Sequence, residues 1–141
     1  MEQRHTFLGH HAKTYGLKES IVLHTIIYFV LLNEKNNRNK REGKYWTFNS
    51  AKNWMPYFPF FTERQISYTL TSLIKQGALI ESNFNKKRDD KSKWFTLTPR
   101  LYGQVKNSPY WKERLTKMVK PSDKNVRPIP DINITTITPY I

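Results

Sequence analysis

Apolar positions recur along the chain in two contrasting ways. From about Lys18 to Asn33 nearly every side of a helix would be apolar, through Ile21, Val22, Leu23, Ile26, Ile27, Tyr28, Phe29, Val30, Leu31 and Leu32. Such a helix must be covered from more than one direction, by the chain itself or by a second copy. The second pattern is one-sided. Ile66, Leu70, Leu73 and Ile74 follow at i, i+4, i+7 and i+8, the spacing of a single buried stripe. Thr62 and Gln65 form a capping box before this stripe, Phe61 and Ile66 sit at the positions of a hydrophobic staple, and Gly77 supplies a left-handed stop. The pattern predicts a helix from Thr62 to Gln76 whose other face carries Arg64, Ser67, Tyr68, Thr71 and Lys75.

The remaining elements arrange themselves around these two. Residues 5 to 16 predict a short helix with Thr6 as cap, Leu8, Ala12 and Tyr15 on one side, and Gly16 as stop. Residues 33 to 43 are polar, without periodicity, and read as a solvated loop. Lys44 to Phe48 predicts a short strand, and Asn49 or Ser50 caps a brief helix to about Tyr57, shortened or distorted by Pro56. After the capped helix, Ala78 to Phe84 predicts a strand, residues 85 to 92 a loop, and Lys93 to Thr98 a strand alternating between its faces, closed by Pro99. Short helix, turn, long helix, strand, basic loop and strand, with one more strand in front, is the layout of a winged helix-turn-helix. Ser108 and Pro109 open a further helix with Trp111, Leu115, Met118 and Val119 on one stripe, ended by Pro121. Residues 120 to 141 carry four prolines among Ile and Thr and read as an extended arm or linker.

The expected fold class is therefore α+β and mainly helical: a winged helix-turn-helix with a small antiparallel β-sheet, plus N-terminal and C-terminal helices. The expected division is an N-terminal segment over 1–16, a winged helix-turn-helix domain over 17–99, a C-terminal helical extension over 100–119 and a tail over 120–141.

Charge adds a direction. The 141 residues include 24 Lys and Arg against 11 Asp and Glu, a formal charge of +13, which favours a polyanionic partner. The absence of cysteine excludes disulfides, thiolate catalysis and thiolate metal sites, and fits a reducing, cytoplasmic setting. The run from Ile21 to Leu32 spans 12 residues and is interrupted by His24 and Thr25. A bilayer span takes roughly 20, so no membrane is expected.

Candidate chemistry narrows accordingly. His10 and His11 are neighbours and do not face each other on a helix, and His24 reads as a hydrogen-bonded core histidine, so neither a metal nor a cofactor is expected. Asp89 and Asp90 are adjacent carboxylates of the turn-forming kind rather than a nuclease pair. No glycine-flanked nucleophile turn and no Walker-type loop occurs, so an enzyme is not expected. The helix from Thr62 instead offers Arg64 for a bidentate contact to guanine and Gln65 for adenine, if capping leaves it free. Ser67, Tyr68 and Thr71 face sugar or phosphate, with Lys75 beyond them. The following loop brings Lys86, Lys87, Arg88, Lys91 and Lys93 against Asp89 and Asp90. Ser50 and Lys52, at the start of the brief helix, complete the candidate DNA-binding set.

Several segments carry a family resemblance. They are Gly16 to Leu23 with Tyr28, Gly43 to Ser50, Phe58 to Ile66 continuing through Lys75 to Ile80, and Asn83 to Lys87 with Asp90 to Phe95. Together they resemble the winged-helix N-terminal domains of phage and mobile-element replication proteins, the replisome organisers, which are loosely related to DnaD-like primosome proteins. The resemblance covers roughly residues 16 to 98. It implies a cytosolic domain that binds double-stranded DNA, marks an origin and helps load replication proteins. Family members usually continue into a further domain, and a shortened relative that keeps DNA binding and loses partner recruitment is one expectation. Two alternatives stand beside it. One is a winged-helix transcriptional regulator, a homodimer through Ile21 to Leu32. The other is a small inhibitor or adaptor whose basic faces meet an acidic host protein or fill the nucleic-acid channel of a host enzyme.

Overall fold

The computed structural model describes residues 6–117. The expectations for the tail, and for Met118, Val119 and Pro121, lie outside the described residues. In chain order the elements are α1 (Gly9–Tyr15), α2 (Leu17–Lys35), β1 (Lys40–Arg41), β2 (Lys44–Tyr45), β3 (Thr47–Asn49), α3 (Ala51–Trp54), a 3₁₀ turn (Met55–Tyr57), α4 (Glu63–Lys75), β4 (Leu79–Ser82), β5 (Lys93–Leu97), α5 (Pro99–Lys106) and α6 (Pro109–Thr116). This is an α+β chain with a small antiparallel sheet, as the patterning predicts.

Helix α2 is the axis of the core. Every residue from Val22 to Asn33 is buried. One side meets α1, another meets α4, and a third meets the sheet through β5. The aromatic ring of Phe29 lies 6.1 Å from Trp54 and 5.4 Å from Tyr57, which ties α2 to α3 and the 3₁₀ turn. His24 is buried against α6, its Nε2 2.7 Å from the Tyr110 hydroxyl and its ring 4.8 Å from that of Trp111. The apolar surface that would have served a homodimer through Ile21 to Leu32 is thus covered by the chain's own helices and sheet, and only Ile21 of that run is partly open. That expectation is corrected: no second copy can reach the helix without unpacking the core.

The sheet runs in the order β3-β5-β4, antiparallel throughout. Phe48 pairs with Trp94 and Asn49 with Lys93 on one side of β5, and Leu79 pairs with Leu97 and Ser82 with Trp94 on the other. The expected alternation of β5 between a wet and a dry face is absent, because Trp94, Phe95, Thr96 and Leu97 are all buried. One face of the strand lies against the helices. The other is covered by Trp46, Phe48 and Phe84, with the Phe48 and Trp94 rings stacked at 4.3 Å.

Two further differences concern loops. The stretch 33–43 contains β1, which pairs with β2 as a separate hairpin, Lys40 opposite Tyr45 and Arg41 opposite Lys44. Pro99, expected to close the strand, instead opens α5 at its first position, with the Thr98 hydroxyl accepting the Leu101 N–H at 3.4 Å. Proline suits a helix start as well as a strand end, because the N–H it lacks has no intrahelical partner at that position. The N-terminal helix starts at Gly9 behind Leu8, without a side-chain cap, rather than at Thr6. The cores of α5 and α6, Leu101, Val105 and Trp111, join the same apolar cluster as α2 and α4.

Candidate nucleic-acid interface

The stripe on α4 is built by its two ends. At the start, the Thr62 hydroxyl accepts the Gln65 N–H at 3.1 Å and the Gln65 Oε1 accepts the Thr62 N–H at 2.9 Å. At the finish, Gly77 takes a φ of 80°, with its N–H donated to Ile74 and that of Ala78 to Leu73, a Schellman closure. Between them Ile66, Thr69, Leu70 and Leu73 are buried. At about 100° per residue, Arg64, Ser67, Tyr68, Thr71 and Lys75 fall within an arc of about 100° on the opposite side. All of these are exposed except Ser67, which is half-buried.

Arg64 and Tyr68 act as a pair. The Arg64 Nε donates to the Tyr68 hydroxyl at 3.1 Å, and the guanidinium carbon lies 5.4 Å from the ring centroid. The tyrosine is 62% exposed, so the pair stands out from the helix. Holding Nε leaves the two Nη groups to act as a donor fork, which is the half of a guanidinium suited to guanine O6 and N7. Gln65 is a correction. Its Oε1 belongs to the capping box, and a bidentate contact to adenine needs that oxygen together with the amide nitrogen. Ser50 is likewise a cap, its Oγ accepting the Asn53 N–H at 3.2 Å, which keeps it at the head of α3 beside exposed Lys52.

The loop at 83–92 is held by its asparagine. Asn85 donates through Nδ2 to the carbonyls of Asp90 at 3.2 Å and Ser92 at 2.7 Å, and its Oδ1 accepts the Trp94 indole N–H at 2.7 Å. Asp90 is a turn former, its Oδ1 accepting the Ser92 N–H at 2.9 Å. Hydrogen bonds from Ser92 hold that carboxyl below its ordinary value. Lys86, Lys87, Arg88, Lys91 and Lys93 are all exposed around this frame.

The fold joins α4 and the strands that carry the loop at one place. Ser67, Leu70 and Thr71 of α4, Asn49 and Ala51, Glu81 of β4 and Lys93 and Phe95 of β5 line a cavity of about 40 Å³, enough for a water molecule. Asn49 is 1% exposed, and its side-chain amide makes no hydrogen bond among the described residues. Asn49, offered by the sequence as an alternative to Ser50 for the α3 cap, is instead a lining residue. Its only signal is its place directly before the Ser50 cap, where strand gives way to helix. Lys75 is gathered least well, because about 16 Å of helix axis separates it from Arg64. Its neighbour Gln76 bonds the Tyr15 carbonyl at 2.9 Å.

Among the described residues no helix is long and apolar enough to cross a membrane, and no group of three His, Cys, Asp or Glu is placed to hold a metal ion. The chain matches no protein-family model, and no curated protein and no solved structure is significantly similar to it.

Proposed function

We propose that this protein binds double-stranded DNA as a winged helix, with α4 in the major groove and the 83–92 loop as the wing on the adjacent backbone. The observation that carries the reading is the meeting of the exposed α4 stripe, at Ser67 and Thr71, with Lys93 at the start of β5, the strand into which the cationic loop runs. Strand order β3-β5-β4 behind α3 and α4 supports the same reading, because it sends the loop out beside the helix that would enter the groove. The roles divide. The Arg64 fork, steadied by Tyr68, reads a base edge, while Lys86, Lys87, Arg88, Lys91 and Lys93 neutralise phosphates. Replication initiation in a phage or mobile element is the setting that the sequence resemblance supports.

Binding to a random-sequence duplex across a salt series tests the reading. If about six phosphates are neutralised, log K falls against log salt with a slope near −5. Arg64→Ala should relax base preference in a pool selected from random duplexes, whereas Lys87→Ala should weaken all sequences alike. No salt-sensitive binding to any duplex sinks the proposal. Equal losses on selected and random DNA for both variants remove Arg64 as the base reader.

A further inference from the structure

The hairpin β1-β2 is more elaborately built than a solvated basic loop requires. Asn37, Asn39 and Glu42 hold φ values of 54°, 58° and 53°, a left-handed region that non-glycine residues seldom occupy, and Gly43 follows at 75°. These turns are tied down from several sides. The Arg38 N–H donates to the Asn33 carbonyl at 2.8 Å, and the Asn33 side chain donates to the Trp46 carbonyl at 2.8 Å. The Tyr45 hydroxyl donates to Asn37 Oδ1 at 3.0 Å, and the Trp46 indole donates to the Arg41 carbonyl at 2.9 Å. Backbone strain held by so many partners is characteristic of segments with a task.

What the frame presents is charge. Lys40, Arg41 and Lys44 are exposed and Arg38 is half-exposed, with Glu42 the one acid in the turn. Among the described residues none of these four cations has a carboxylate within 4.0 Å. Its placement is equally specific. The Arg41 guanidinium lies 5.3 Å from the Trp94 ring centroid. That indole also meets Phe84 at 5.3 Å and donates to Asn85, the residue that clasps the 83–92 loop. Trp46 closes the circle, 5.0 Å from Phe84. One aromatic floor therefore carries two cationic hairpins side by side, and Arg41 is the fastening between them.

We infer that β1-β2 is a second backbone-binding finger, which places Arg38, Lys40 and Lys44 on DNA phosphates beyond those met by the 83–92 loop. The inference rests on the duplex-binding reading and extends its footprint. A phosphate row is the partner whose chemistry fits: repeated negative charge without a required base, met on a rigid support by cations that have no carboxylate partner among the described residues, Lys40 lying 5.7 Å from the Tyr45 ring centroid. Arg41 is a positioning residue, since its guanidinium is engaged with Trp94.

The test compares the wild-type chain with a triple variant, Arg38→Gln, Lys40→Gln and Lys44→Gln, on one long random duplex across a salt series. Each lost phosphate contact removes about 0.9 from the slope, so the triple variant should be shallower by roughly 2 to 3. Base preference in a selected pool should not change. The single variant Lys44→Gln, expected to lower the slope by about 1, serves if the triple variant shows a lower melting temperature. A wild-type chain that binds with a steep slope, beside hairpin variants of identical slope, overturns the second finger and leaves duplex binding standing. A wild-type chain that binds no duplex overturns both.

Discussion

Helices α2 and α4 pack against each other, yet they are specified in opposite ways. In α2 burial is continuous from Val22 to Asn33, and the helix has no face left to offer. In α4 burial is confined to Ile66, Thr69, Leu70 and Leu73, with local devices at both ends fixing where the helix begins and stops. The difference teaches how this chain divides labour. A helix that is apolar on every side is held by its neighbours and organises them in turn. A helix that is apolar on one side can keep its geometry while presenting Arg64, Tyr68 and Thr71 to a partner.

The comparison breaks first at α2. Phe29→Ala removes a ring packed between Trp54 and Tyr57, and should cost about 3 to 5 kcal/mol in urea unfolding through lost transfer energy and the cavity left behind. A loss below 1 kcal/mol would mean that α2 is not the centre of the core.

A smaller effect comes from pH. Burial, with Arg114 and His11 nearby, lowers the pKa of His24 to about 3, and burial with His10 lowers that of His11 to about 4. Below an unfolded value near 6.5 the unfolded chain takes up protons that the folded chain does not. Stability is therefore complete above pH 6.5 and falls as pH drops. Each histidine contributes about 1.4 kcal/mol per pH unit, so His24 alone contributes on the order of 2 kcal/mol between pH 6.5 and 5. His24→Gln should flatten the wild-type dependence by about half, measured by unfolding midpoints across that range. An unchanged slope would place His24 in a wetter site than α2 and α6 provide.

The smallest effect belongs to the cap of α4. Thr62→Ala removes the hydroxyl that accepts the Gln65 N–H and should cost about 1 kcal/mol. It would also free the Gln65 side chain from its reciprocal role. If Thr62→Ala leaves stability unchanged, α4 is held by packing alone, and the contrast with α2 is one of degree.

Much of the frame was legible in the chain, for identifiable reasons. The capping box at Thr62 and Gln65, the Ser50 and Ser108 caps and the left-handed Gly77 are short-range devices, and each is found where the spacing places it. Pro56 does shorten α3, which gives way to a 3₁₀ turn at Met55. The β1-β2 hairpin was not legible, because its order comes from Asn33 and Trp46 rather than from a period within residues 36 to 45. Helix α5 falls within the expected helical extension over 100–119, but its start was not placed, because Pro99 suits both a strand end and a helix start.

The sequence by itself determined that the α2 and α4 segments are helical, where α4 is capped, and which of its side chains are free of the core, since all of these follow from residues a few positions apart. Only the tertiary structure decided that α2 is covered by its own chain and that both faces of β5 are dry. It also brought Asn49 beside Ser67, Thr71 and Lys93, and set two basic hairpins on one aromatic floor. These are contacts between distant residues, and no local pattern encodes them: apolarity states that a surface must be buried, but not what will bury it.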